Sequence, residues 1–145
     1  MIRQLAHACF YSDNLPAMID FFGRQLGFSV RFTLQDRHGV TFGYYFDCGN
    51  STFIEVFDRA LAIAEWGGDF APANAGRYRH LCFEVTGLAE TRNELAAHGI
   101  LSTEPKTGLD GSVQSWITDP DGNEIELMEY TGRSLQLVGR GPNHA

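Results

Sequence analysis

The sequence predicts an α+β fold in which tandem βαβββ modules form a cupped sheet with helices outside. Three internal echoes carry that expectation. His7-Ala8-Cys9-Phe10 returns as His80-Leu81-Cys82-Phe83, 73 positions on. Leu26-Gly27-Phe28 is matched by His98-Gly99-Ile100, with the glycines 72 apart. Ile54-Glu55-Val56 returns as Ile125-Glu126-Leu127, 71 apart. Three signals in one order at nearly one offset mark a duplicated module of about seventy residues. The expected boundaries are residues 1–58 for the first module, 59–77 for the connection, 78–130 for the second module and 131–145 for a tail.

Within the first module, residues 2–10 read as a strand. Asp13 and Asn14 can cap a helix that begins at Leu15-Pro16, because proline is tolerated in a first helical turn. Leu15, Ile19, Phe22 and Leu26 recur at helical spacing and form its buried stripe, and Gly27 supplies the left-handed exit. Strands follow over 28–35, 40–48 and 52–58, separated by His38-Gly39 and Cys48-Gly49-Asn50, both of turn chemistry. In the connection, Ala60–Trp66 has room for two helical turns before Gly67-Gly68 and Pro72 break the pattern. The second module repeats the order: strand 78–85, helix 87–98 ending at Gly99, then strands 100–104, 112–118 and 124–130. Asp119-Pro120-Asp121-Gly122 makes the last hairpin turn. Residues 131–145 show no periodicity and read as a mobile or partner-docking tail.

Composition narrows the class of function. The chain has 145 residues, is 43% hydrophobic and 20% charged, and has a formal charge of −7. That is a soluble globular composition, and the negative charge argues against nucleic acid or an anionic membrane as partner. No apolar run is long enough to cross a bilayer and no leader pattern opens the chain, so a cytoplasmic protein is expected. Three cysteines do not make a disulfide framework. Cys9 and Cys82 read as small buried fillers, and Glu84, Glu124 and Glu129 as surface or rim charges. Open sheet edges favour a homodimer.

Alternation along the strands gives the candidate site. Ala8 and Phe10, Ile54 and Val56, Leu81 and Phe83, and Ile125 and Leu127 make apolar faces suited to lie under helices. The opposite faces carry His7, Glu55, His80 and Glu126 among aromatics and sulfur. Burying two unpaired carboxylates is costly. A divalent cation held by two glutamates and two imidazoles removes that cost, so a metal site with His7, Glu55, His80 and Glu126 as ligands is expected. Such sites take Ni, Co, Zn, Mn or Fe.

The paired modules, His7 on the first strand, and Asp119-Pro120-Asp121-Gly122-Asn123-Glu124-Ile125-Glu126-Leu127 together resemble the vicinal oxygen chelate superfamily. That superfamily includes glyoxalase I, methylmalonyl-CoA epimerase, extradiol dioxygenases, and fosfomycin and bleomycin resistance proteins. The resemblance covers about residues 1–130. It implies ligands on the first and last strands of each module, which here are His7, Glu55, His80 and Glu126. Epimerases of the family place glutamine at the second position and the dioxygenases use a His-His-Glu set, so Glu55 favours a glyoxalase-like isomerase or lyase. The implied reaction is proton transfer next to a carbonyl on a small vicinal-oxygen substrate, with Glu126 as base and Glu55 as its symmetry-related counterpart. Tyr11, Phe53, Phe57, Arg59 and Met128 would contact the substrate. Glyoxalase I usually carries an arginine four residues after the first ligand and an asparagine four after the second. This chain has Tyr11 and Arg59 there, so the resemblance does not carry glutathione over as substrate. The alternatives are an Fe(II) dioxygenase using His7, His80 and Glu126, and a non-catalytic small-molecule binding or antibiotic resistance protein.

Overall fold

The computed structural model describes residues 5–68 and 80–138. The chain divides into two compact units, Met1–Gly76 and Arg77–Ala145. Each unit holds one four-stranded sheet, so the expected α+β class and the duplicated β-α-β-β-β order are both found. Residues 2–4 of the first expected strand, the later part of the connection, the opening of the strand expected from 78, and the end of the tail lie outside the described residues. Among the described residues, no helix is long and apolar enough to cross a membrane.

In the first unit β1 (His7–Ser12) leads into α1 (Leu15–Ile19), followed by a π-helical segment (Asp20–Gln25), β2 (Ser29–Gln35), β3 (Thr41–Asp47), β4 (Phe53–Asp58) and α2 (Arg59–Trp66). The sheet order is β1-β4-β3-β2, with β1 parallel to β4 and the remaining pairs antiparallel. The N-cap of α1 is Asn14, whose side chain accepts from the Ala17 amide at 3.3 Å. The expected stripe of Leu15, Ile19, Phe22 and Leu26 is only half right. The buried residues are Leu15, Met18, Phe21 and Phe22. That set still has ordinary helical spacing, and the π segment, in which the Leu26 amide bonds back five residues to the Phe21 carbonyl at 2.9 Å, runs on from it toward Leu26. Phe22 then packs against Phe10 of β1 and Phe46 of β3, covering the apolar face that also carries Ile54 and Val56.

The second unit repeats this plan with β5 (Leu81–Glu84), α3 (Leu88–Ala97), β6 (Lys106–Thr107), β7 (Val113–Thr118), β8 (Glu124–Glu129) and a short α4 (Leu135–Val138). Its order is β5-β8-β7-β6, again with the first and last strands parallel. The strand expected over 100–104 does not form; pairing begins only at Lys106. Thr103 runs beside β7 with a mixed pattern: its amide donates to the Trp116 carbonyl at 3.0 Å, but its hydroxyl, not its carbonyl, accepts from the Trp116 amide at 3.0 Å, and its carbonyl accepts from the Ser115 hydroxyl at 2.7 Å. Pro105 then has no amide to donate. The closing hairpin is built as expected, with Asp119 accepting from the Asp121 and Asn123 amides at 3.0 and 2.8 Å. The tail also departs from expectation at its start. Ser134 accepts from the Thr131 amide at 2.8 Å and bonds the buried Ser112 hydroxyl at 2.9 Å, which ties α4 to the unit.

Glu129, expected to be a surface charge, instead has a structural partner. The N-cap of α3 is Gly87 in the left-handed region, φ 73°, and glycine has no side chain with which to cap. The carboxylate of Glu129, at the end of β8, accepts from the Gly87 and Leu88 amides at 2.8 and 3.1 Å and takes over that role. Those two donors hold its carboxyl below the usual range. The stabilisation is therefore complete above the ordinary value of about 4.3 and fades as pH falls through the lower folded-state value. Glu129→Gln should lower the melting temperature at pH 7, and its gap to wild type should close on acidification below about pH 4. Thermal melts across that range check this; a gap that ignores pH would mean the cap does not act through charge.

Candidate metal centre

Parallel pairing of the first and last strand brings each histidine to its glutamate. In the first unit Cys9 faces Glu55 in register and His7 lies two residues before Cys9 on the same face. His7 Nδ1 stands 3.2 Å from Glu55 Oε1. In the second unit Cys82 faces Glu126, and His80 Nε2 stands 3.1 Å from Glu126 Oε2. Both glutamates are buried, at 7% and 8% exposure. The histidines differ, with side chains 52% exposed at His7 and 31% at His80.

The neighbours of each pair follow from the same register. Tyr45 of β3 lies directly across from Glu55, and Trp116 of β7 directly across from Glu126. Burial, the charge of Glu55 and a hydrogen bond to it push the Tyr45 phenol up to about 12. The same three causes, in that order, push the Cys9 thiol up to about 12; burial and Glu126 do the same for Cys82. Neither cysteine is the fully buried filler expected: as residues Cys9 is exposed and Cys82 half-buried, while the sulfur of each is desolvated beside a carboxylate, which favours the protonated thiol. Trp116 meets the site differently, standing edge-on to His80 with ring centroids 4.8 Å apart. Sequence reasoning missed both aromatics, although each lies ten positions before its glutamate.

The expected substrate contacts are placed as follows. Phe53 is half-buried on the histidine face, in register with His7. Phe57 is 2% exposed, enclosed by Phe42, Tyr11, Tyr45 and, from α2, Trp66. Tyr11 is half-buried against it. Met128, at the matching position of the second unit, is also buried and its sulfur accepts from Gln136 of α4 at 3.8 Å. Short helices that follow the last strands thus cover both positions, and Phe57 and Met128 support the site from inside their own units. Arg59 is held in an ion pair with Asp13 at 2.9 Å.

The donor set suits a mid-row divalent ion: imidazole nitrogens and carboxylate oxygens. One further atom supports the fit. His80 Nδ1 is buried and has no hydrogen-bond partner among the described residues; such a nitrogen costs free energy until something satisfies it. Each unit supplies one histidine and one glutamate. Among the described residues, no group of three or more His, Cys, Asp or Glu side chains is gathered to hold a metal.

Gly43 protects this arrangement. It faces Phe57 in register, and a Cβ added there would lie 2.2 Å from the Phe57 ring. Gly43→Ala should therefore destabilise the fold by ~1–3 kcal/mol through overpacking, read by urea unfolding. Parent-like stability would show that the Phe57 ring can shift aside at no cost.

Comparison with known proteins agrees with this architecture. Residues 4–127 match the family described as Glyoxalase/Bleomycin resistance protein/Dioxygenase superfamily. A virulence protein of Salmonella typhimurium, STM3117, is 27% identical over 135 residues, 90% of this chain and 86% of its own. A lactoylglutathione lyase from Agrobacterium tumefaciens superposes with a TM-score of 0.63 at 24% identity, over 87% of this chain and 92% of the other. TnmS3, an antibiotic binding protein from Streptomyces sp. CB03234, does so with a TM-score of 0.69 at 20% identity, over 90% and 98%. With the duplicated βαβββ units, the histidine–glutamate pairs and a family match over most of its length, this chain belongs to the glyoxalase/bleomycin resistance/dioxygenase superfamily.

Proposed function

We propose that this protein is a glyoxalase-like, divalent-metal-dependent isomerase or lyase that moves a proton next to a carbonyl of a small vicinal-oxygen substrate. The observation that carries the reading is the repeated pair: one buried glutamate within hydrogen-bond distance of one histidine in each unit. In this reading His7, Glu55, His80 and Glu126 are the residues that would hold the ion. A bound divalent ion supplies a Lewis acid that polarises the substrate carbonyl.

The rest of the chemistry falls to the chain. Glu126 takes the proton from the carbon beside the carbonyl, leaving an enediolate, and returns it to the neighbouring carbon. Burial of both carboxylates keeps water from competing for that proton. The pairing of Arg59 with Asp13, and the packing of Tyr11 on Phe57, support a substrate of low anionic charge rather than one recognised through carboxylates.

Metal content tests the reading on protein purified without a metal-affinity column. About one Ni, Co, Zn or Mn per chain is expected, lost in Glu55→Ala. Glu126→Gln should lower turnover of a methylglyoxal hemithioacetal probe by about 10²-fold or more. Iron retained in Glu55→Ala would favour the dioxygenase chemistry instead. Absence of metal after incubation with each ion would leave a non-catalytic binding protein.

A further inference from the structure

In the second unit the His80 imidazole is in contact with both a carboxylate and an indole. Its Nε2 stands 3.1 Å from Glu126 Oε2, and its ring meets that of Trp116 with centroids 4.8 Å apart and planes 82° apart. The indole is carried on a backbone held from both sides. Glu126 of β8 lies directly across from Trp116. On the other flank the Trp116 carbonyl accepts from the Thr103 amide and the Trp116 amide donates to the Thr103 hydroxyl, both at 3.0 Å. Because both backbone groups turn to Thr103, Trp116 and Glu126 form a pair without ladder bonds between them, the kind that brings cross-strand side chains closest. The irregular segment around Thr103 thus fixes the residue that touches the imidazole.

An imidazole has one freedom that matters to a metal: turning about its Cβ–Cγ bond puts a ring carbon where a nitrogen was. His80 has a reason to turn, since its Nδ1 is buried without a hydrogen-bond partner among the described residues. A T-shaped aromatic contact is attractive over a limited range of ring orientations, so the indole opposes that motion. We propose that Trp116 is a positioning residue, which fixes the plane of the His80 ring and keeps Nε2, the nitrogen beside Glu126, in place as the ligating atom. The assignment rests on the metal-dependent reading above. A partner that orients a ligating imidazole raises metal affinity, because less freedom is left to lose on binding.

The test titrates metal-free full-length protein with Co(II), following heat of binding and visible absorption. Trp116→Leu should weaken Co(II) binding about tenfold or more, and Trp116→Phe, which keeps an aromatic ring beside the imidazole, should restore most of it. In a His80→Ala background Trp116→Leu should cause no further loss, because a residue acting through His80 has nothing left to orient. Thermal melts confirm that each variant folds. Trp66→Phe leaves Trp116 as the remaining tryptophan of 2, and its emission should fall in step with cobalt uptake, a measurement that needs no change at Trp116 itself. Wild-type affinity in Trp116→Leu would overturn the assignment, as would an equal loss in the His80→Ala background, which would mark a general structural effect. Emission unchanged at full cobalt occupancy would do the same, by placing the ion away from His80. If wild type itself takes up no cobalt, the metal-dependent reading fails and the role of Trp116 fails with it. Cobalt bound equally well without the indole removes the role of Trp116 alone.

Discussion

Everything at the candidate site depends on the parallel pairing of the first and last strands within each unit. A parallel pair cannot be closed by a tight turn; it needs a crossover. Here the crossover is the helix and the two strands between β1 and β4, and their counterparts between β5 and β8. Once the register is set at Cys9–Glu55 and Cys82–Glu126, alternation does the rest. Ile54 and Val56 turn to the helix side and are buried, as are Ile125 and Leu127, while the histidine and glutamate turn the other way. A slip of one residue in either pair would exchange these faces and put a glutamate under a helix. The apolar core and the polar site are therefore enforced by the same ladder bonds.

That shared constraint explains which features were legible in the sequence. The repeat, the alternation and the turn residues could be read directly because they are local or periodic. The histidine–glutamate pairs followed from them, although sequence could pair only matching faces and not measure a distance. What escaped had no periodic signature. The π segment rests on a bond back five residues from the Leu26 amide, which helical spacing does not encode. The Glu129 cap joins residues 42 positions apart, and nothing near Gly87 announces it. The interrupted pairing around Thr103 is a competition between a side-chain hydroxyl and a backbone ladder bond, visible only once β7 is in place.

Tyr45 and Trp116 escaped for a different reason. Both are aromatic residues in strands, where aromatics are common, and the ordinary expectation is packing. Only the strand register shows that they lie across from Glu55 and Glu126. Phe57 and Met128 show the reverse. Both share a face with the glutamates, and the sequence could not show that α2 and Gln136 pack against them. Face alone does not decide exposure when the chain that follows a strand folds back across it.

The electrostatics of the two half-sites point in one direction. Two carboxylates are buried in a chain whose net charge is already −7, and the partners identified at Glu55 are an imidazole, a thiol and a phenol. Hydrogen bonds satisfy the acceptor capacity of a carboxylate, but holding it away from water still carries a desolvation cost. A residue pattern that keeps that cost twice, at matching positions, is better suited to receiving positive charge than to stability alone. Replacing the glutamates by residues of neutral polarity would remove the cost and leave the ladder intact. His80 Nδ1, buried without a hydrogen-bond partner among the described residues, adds to the cost that the proposed cation would offset.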